Sequence, residues 1–159
     1  MRKMLYLIGL VIIVSCSSID CPLSNTVVTR YCFYNTNGDS IALKDTLMVS
    51  TVRKDGSDTL ILNRHVEKPS FSLPISYSHP EDVLYFNIYN TDYSIFDTVW
   101  VKKEDIPHFE SVDCNAAFFH RLTDVRYTTH FIDSIVIKNP SVDYDKTTIH
   151  FYIYPKIND

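Results

Sequence analysis

The sequence predicts an all-β chain: a single antiparallel β-sandwich domain of the immunoglobulin-like or transthyretin-like kind. Three observations lead there. Short runs alternate apolar and polar residues, turn signals separate them about every ten residues, and no window repeats apolar residues at i, i+3, i+4 and i+7. The 159-residue chain holds only 3 glycines, too few to curl strands into a closed barrel, so two packed sheets are expected.

The first stretch is a targeting segment rather than a strand. Arg2 and Lys3 precede an uncharged apolar run from Met4 to Val14. That run is shorter than the roughly 20 residues that span a bilayer, and it has the length and flanks of a secretory signal peptide. It ends Ile13-Val14-Ser15-Cys16, which resembles the bacterial lipobox: an aliphatic residue, a variable one, a small residue before the cut, and a cysteine whose thiolate takes a diacylglyceryl group. Residues 1–15 are therefore read as a lipoprotein signal peptide, 16–25 as the lipidated cysteine and a short tether, and 26–159 as the sandwich domain. Cys16 is the membrane anchor in this reading. One acyl chain binds only marginally, at about 0.8 kcal/mol per buried CH₂, whereas several on one cysteine hold permanently. Ser17 after the anchor, with Asp20 as the one acid nearby, points to the outer membrane and its periplasmic face.

Within the domain, strands are expected at 27–34, 47–52, 59–63, 71–76, 83–89, 94–101, 109–112, 118–126, 132–138 and 149–154. Asp55-Gly56, set between two alternating runs, marks a hairpin joining the second and third. Two runs show their faces plainly. In 83–89, Leu84, Phe86 and Ile88 point to a core, and Tyr85, Asn87 and Tyr89 point away from it. In 149–154, Ile149, Phe151 and Ile153 point in, and His150, Tyr152 and Tyr154 point out. Asp followed by Thr or Ser and a β-rich run recurs at Asp45, Asp58, Asp97 and Asp133. The spacing is too uneven for a repeat architecture, and each Asp is expected to close a local turn through side chain–backbone bonds.

The formal net charge of −4 becomes −6 once Arg2 and Lys3 leave with the signal. With no basic block there is no footprint for nucleic acid and none for anionic lipid, so the acyl anchor alone must hold the membrane. Beside Cys16 there remain Cys21, Cys32 and Cys114. In an oxidising envelope two of them pair and one is left over, and three pairings stand open. Cys32 lies in a strand-like run and suits a small buried residue. Cys21 and Cys114 have turn-like polar surroundings, which favours Cys21–Cys114. That bridge would close a loop of roughly 90 residues and stabilise by about 4–5 kcal/mol in the chain-entropy model. It would leave a tether of Ser17 to Asp20, reaching at most about 14 Å.

Patterns that carry chemistry are scarce. His65, His79, His108, His120, His130 and His150 form no HxH or HExxH pair and flank no cysteine pair at zinc spacing. Asp143-Tyr144-Asp145 lacks the glycine and the later Glu of an EF-hand loop. There is no GxSxG, no phosphate-binding glycine loop and no dinucleotide fingerprint. Cys114, with His108 and His120 close in sequence, is better explained by a bridge than by a nucleophile pair. No catalytic residue, metal or cofactor is expected. The feature that suggests binding is tyrosine: Tyr85, Tyr89, Tyr152 and Tyr154 offer apolar rings with polar tips, suited to a protein or a glycan.

The segment from His108 to Asp145, HFESVDCNAAFFHRLTDVRYTTHFIDSIVIKNPSVDYD, resembles a family of small uncharacterised Bacteroidota lipoproteins known only as a domain of unknown function. The likeness extends to the lipobox with a cysteine soon after it, to FSLPIS at 71–76, to DTVWVKKEDIPHF, to the position of Cys114, and to IDSIVIKNP before a final strand. It implies a lipid-anchored β domain and supports the Cys21–Cys114 pairing, with no counterpart for Cys32. It supplies no catalytic residues.

The expected function is a non-enzymatic envelope module, tethered at Cys16, that docks a protein or glycan near the membrane. The alternative is an assembly subunit of fimbrial or surface-lattice type, with 149–154 as the exposed edge strand it would need. A hydrolase is a third reading and would require a pocket of convergent, perturbed residues.

Overall fold

The computed structural model describes residues 26–53, 55–109, 111, 114 and 117–156; the signal peptide, Cys16 and Cys21 lie outside them. The described chain forms strands β1 (Val28–Phe33), β2 (Thr46–Val52), β3 (Asp58–His65), β4 (Ser70–Pro74), β5 (Glu81–Tyr89), β6 (Ser94–His108), β7 (Ala117–Tyr127), β8 (Ile132–Ile137), β9 (Ser141–Val142) and β10 (Phe151–Pro155). They make a four-stranded sheet in the order β4-β1-β10-β8 and a six-stranded sheet in the order β3-β2-β5-β6-β7-β9. This is the all-β sandwich that the alternation predicts. All pairings are antiparallel except β1 with β10, which run parallel with Tyr31 level with Phe151.

The period-two pattern decides which side chains fill the space between the sheets. Leu84, Phe86 and Ile88 of β5 are buried, as are Phe151 and Ile153 of β10. Leu47, Val49, Val99, Val101 and Leu122 join them from the six-stranded sheet, and Tyr31, Phe33, Phe71 and Leu73 from the other. Each such side chain contributes about 1.5–3 kcal/mol by leaving water. The Asp55-Gly56 hairpin forms as expected. Gly56 adopts φ 83°, a left-handed conformation that suits glycine. Its N–H donates to the Arg53 carbonyl at 2.9 Å, and Asp55 Oδ1 accepts from the Ser57 N–H at 2.9 Å.

Four expectations are corrected. The strand placed at 109–112 does not appear in its described residues: Phe109 and Ser111 are not in a strand, and β6 instead runs on to His108. Beyond Lys102, β6 leaves β5 and pairs with β7 alone among the described residues. Its vacated side is guarded. The Lys103 N–H points there, to the Pro80 carbonyl, so Pro107, four residues on and lacking an N–H, falls on that same edge. Second, the terminal strand is no edge: β10 lies between β1 and β8. Third, His150 is not on a wet face but 1 % exposed. It accepts the Arg30 N–H on Nδ1 at 3.0 Å, and burial holds its pKa below the usual histidine range. Fourth, the recurrent Asp residues do not act alike. Asp97 binds a loop more than thirty residues away, and Asp45 accepts from the side chains of Asn90 and Tyr93.

Pairing also orders the two ends of the sandwich. Val28, where the domain begins, pairs with Pro74. The β4–β5 connection and the start of β5 therefore lie at the end where the chain enters.

Candidate functional site

The four tyrosines singled out in the sequence do not form one surface. Tyr85 and Tyr89 belong to β5 and Tyr152 and Tyr154 to β10, so the two pairs look outward from opposite sheets. On the four-stranded sheet, Tyr34 packs against Tyr152 with centroids 4.1 Å apart, and the Lys138 ammonium lies 5.6 Å from the Tyr152 ring centre. Cys32, a free thiol, is buried among them and its pKa is raised, first by burial. These rings are used mainly on one another.

The outer face of the six-stranded sheet is different. Register places Leu60 opposite Ser50, Ser50 opposite Tyr85, and Tyr85 opposite Thr98. The neighbouring rows set Val83 against Trp100 and Arg126, and Met48 against Asn87 and Phe96. Phe96 is 61 % exposed, and Leu60, Val52 and Tyr85 are exposed on the same sheet. Four strands thus present apolar side chains across a face about 14 Å wide, at roughly 4.8 Å per strand spacing, with Ser50, Asn87 and Thr98 set among them. Charges bound it at one end: the Arg126 guanidinium sits 5.1 Å over the Trp100 ring and donates to both Glu81 oxygens at 2.9 Å. Trp100 and Phe96 were not singled out in the sequence. The signal was the alternation of DTVWVKK, which sets Thr98 and Trp100 opposite Val99 and Val101, but it acquires meaning only once the register with β5 is known.

A second feature is a cleft of about 510 Å³ where the sheets part, between the β2–β3 hairpin and the β4–β5 connection. Val52, Ile61, Pro74, Ile75, Val83 and Leu84 supply its apolar lining. Behind it lies a buried polar group. Lys103 Nζ donates to the His79 carbonyl and reaches Ser76 Oγ at 3.4 Å and Asp82 Oδ1 at 3.5 Å. Ser76 Oγ donates to Asp82 at 2.5 Å. All three ammonium protons therefore have acceptors, and the serine proton goes to a carboxylate, so the lysine is arranged to donate rather than to take a proton from Ser76. That is a clamp holding the β4–β5 connection to β6, not an activated nucleophile. Nearby, buried His120 sets Nδ1 2.7 Å from Asp105 Oδ1, and burial keeps its pKa below the usual range despite that carboxylate. His108 stacks on Phe119 at 4.1 Å. Among the described residues no three His, Cys, Asp or Glu side chains gather as metal ligands.

A family model described as "Family of unknown function (DUF6452)" matches residues 47–155. The match starts inside β2 and ends with β10, leaving β1 outside it. No curated protein and no solved structure matches the chain.

Proposed function

The chain belongs to this family of unknown function, and we propose that it is a lipid-anchored, non-enzymatic envelope module that docks a protein partner through the outer face of its six-stranded sheet. The observation that carries this reading is the apolar patch of Leu60, Val52, Tyr85, Val83, Trp100 and Phe96 with charged residues at its border. An apolar centre with a polar rim is the anatomy of a protein interface, and an exposed apolar patch of this kind marks an interaction site. A protein is favoured over a glycan because aliphatic side chains are interleaved with the rings, and because Arg126 already covers the Trp100 ring. An assembly subunit pairing through 149–154 loses its basis, since β10 is interior.

The anchor is Cys16, in the outer membrane with the domain on its periplasmic face, in a bacterium of the Bacteroidota; the lipobox-like stretch supports it. In the same reading Cys21 pairs with Cys114, and the free, buried state of Cys32 is consistent with that choice. Two experiments test the proposal. Phe96→Asp, at an exposed position, is expected to leave the melting temperature unchanged and to weaken capture of a crosslinked protein from native membranes at least tenfold, as loss of a hot spot does. Undiminished capture, or binding to glycans alone, overturns the docking face. Cys16→Ser is expected to give uncleaved precursor that takes up no labelled fatty acid. Normal processing of this variant, together with wild type that stays unlabelled, overturns the anchor.

A further inference from the structure

The inter-sheet cleft adjoins the docking face, with which it shares Val52, Val83 and Tyr85, and offers a different chemistry. Its apolar lining is mostly aliphatic, from Val52, Ile61, Pro74, Ile75, Val83 and Leu84, with Tyr85 and the imidazole of His79 beside them. That suits a flexible hydrocarbon chain better than a flat aromatic molecule. The volume of about 510 Å³ falls within the roughly 300–1,000 Å³ of small-molecule sites.

The charges at the mouth select the head group. Two acids line the cleft, and both are spent. Glu81 is paired with Arg126 at 2.9 Å, and Asp82 is held by Ser76 and Lys103. Asp55, on the same turn as Arg53, is bonded to Ser57 through both the backbone N–H and the hydroxyl and keeps its charge within the field of Arg53, but forms no salt bridge with it. Arg53 itself lines the cleft and forms no ion pair with a carboxylate among the described residues. An apolar cleft whose lining acids are both paired, with a guanidinium free of any salt bridge among the described residues, is complementary to a long-chain anion. We propose that this cleft binds one free fatty acid, the hydrocarbon between the sheets and the carboxylate at Arg53. The chain enters the sandwich at this same end, through Val28 beside Pro74. On the anchored reading above, the mouth would therefore face the bilayer from which such acids partition.

The test uses the full-length protein in membrane vesicles from expressing cells, with a diazirine-bearing palmitic acid as probe and peptide mapping after irradiation. Labelling is expected at 74–79 and 81–85, suppressed by unlabelled palmitate and not by hexadecanol, which has the chain without the charge. Arg53→Glu, on an exposed turn, is expected to lower labelling roughly threefold to tenfold, as reversal of a partly exposed charge does. Ile61→Trp, which fills the cleft, is expected to abolish labelling. Labelling spread over the surface, equal competition by hexadecanol, or a probe yield unmoved by Arg53→Glu overturns the proposal. Phe96 does not line the cleft, so Phe96→Asp is expected to leave the labelling unchanged, and failure of the docking face and failure of the cleft are read separately.

Discussion

Asp97→Ala is expected to cost about 3–5 kcal/mol, on the scale of a broken buried charge network, and so to remove much of the stability of a domain of this size. The side chain is fully buried, pointing in from β6. Its Oδ1 accepts from Thr128 Oγ1 at 2.7 Å, from the His130 N–H at 2.8 Å and, at 3.1 Å, faces His130 Nδ1. Its Oδ2 accepts from the N–H groups of Phe131 at 2.8 Å and Ile132 at 2.9 Å. One carboxylate thus satisfies three consecutive backbone donors where the chain crosses from the six-stranded sheet to the four-stranded one. Alanine leaves those donors without acceptors, and each unsatisfied buried group costs about 1–3 kcal/mol. Asparagine keeps one acceptor and turns a donor toward N–H groups, so Asp97→Asn is expected to lose nearly as much.

The pH dependence follows with a definite sign. Burial alone would raise the Asp97 pKa, but the hydrogen bonds from Thr128, His130, Ile132 and Phe131 outweigh it and hold the carboxyl below the usual range. A depressed folded pKa stabilises above the unfolded value, about 3.9, and that stability is lost as pH falls through the folded value. Urea titrations from pH 7 down to pH 2 are expected to show the gap between wild type and Asp97→Asn closing below about pH 4. A gap that stays constant would mean that the carboxylate is not the stabilising species.

Most of the strands are legible because alternation needs no partner to be seen. The VLYFNIY and FYIY runs declare their inner faces by residue type alone, and the Asp55-Gly56 turn carries its own chemistry. What escaped the sequence depended on distant residues. The apolar pattern of β6 ends at Val101 because its next inward position is Lys103. That lysine is tolerated inside because Ser76, His79 and Asp82, from another part of the chain, meet it. His150 reads as solvent-facing until Arg30, 120 residues earlier, supplies a donor to its ring. The two-residue β9 is too short to carry any period.

The binding surfaces were half legible for the same reason. Tyr85 stands out in the sequence with Tyr89, Tyr152 and Tyr154, but a patch is a property of register. Leu60, Trp100 and Phe96 become its neighbours only through three strand pairings. Tyr152 and Tyr154 carried the same local signal and lie on the other sheet, where Tyr34 and Lys138 engage Tyr152. The cleft left no trace in local pattern, because its walls come from β2, β3, β5 and the β4–β5 connection together.

Tyr31→Ala is expected to be as damaging as the loss of Asp97, by a different route. Three adjacent strands stack their rings: Tyr31 lies 5.1 Å from Phe71 at 5° and 4.6 Å from Phe151 at 9°, between its register partners on β4 and β10. Phe86, from the opposite sheet, meets Tyr31 edge-on at 6.3 Å and Phe71 at 6.0 Å. Removing the middle ring leaves a cavity that two strands and a facing sheet cannot fill without breaking their own ladders. Large-to-small changes of this kind cost about 3–5 kcal/mol, and each lost aromatic pair adds about 0.5–1.5 kcal/mol. The hydroxyl contributes little. Its partner is Thr29 Oγ1 at 3.4 Å, which also has the Leu73 carbonyl at 3.3 Å, so Tyr31→Phe is expected to stay within about 1 kcal/mol of wild type. The stack joins β1 to β10, the first and last strands, and forms only after nearly the whole chain has closed. Its loss should therefore appear chiefly as faster unfolding, with refolding little changed. Stopped-flow urea chevrons of the two variants separate these outcomes: an alanine variant that unfolds at the wild-type rate would show that the sheets are held together elsewhere.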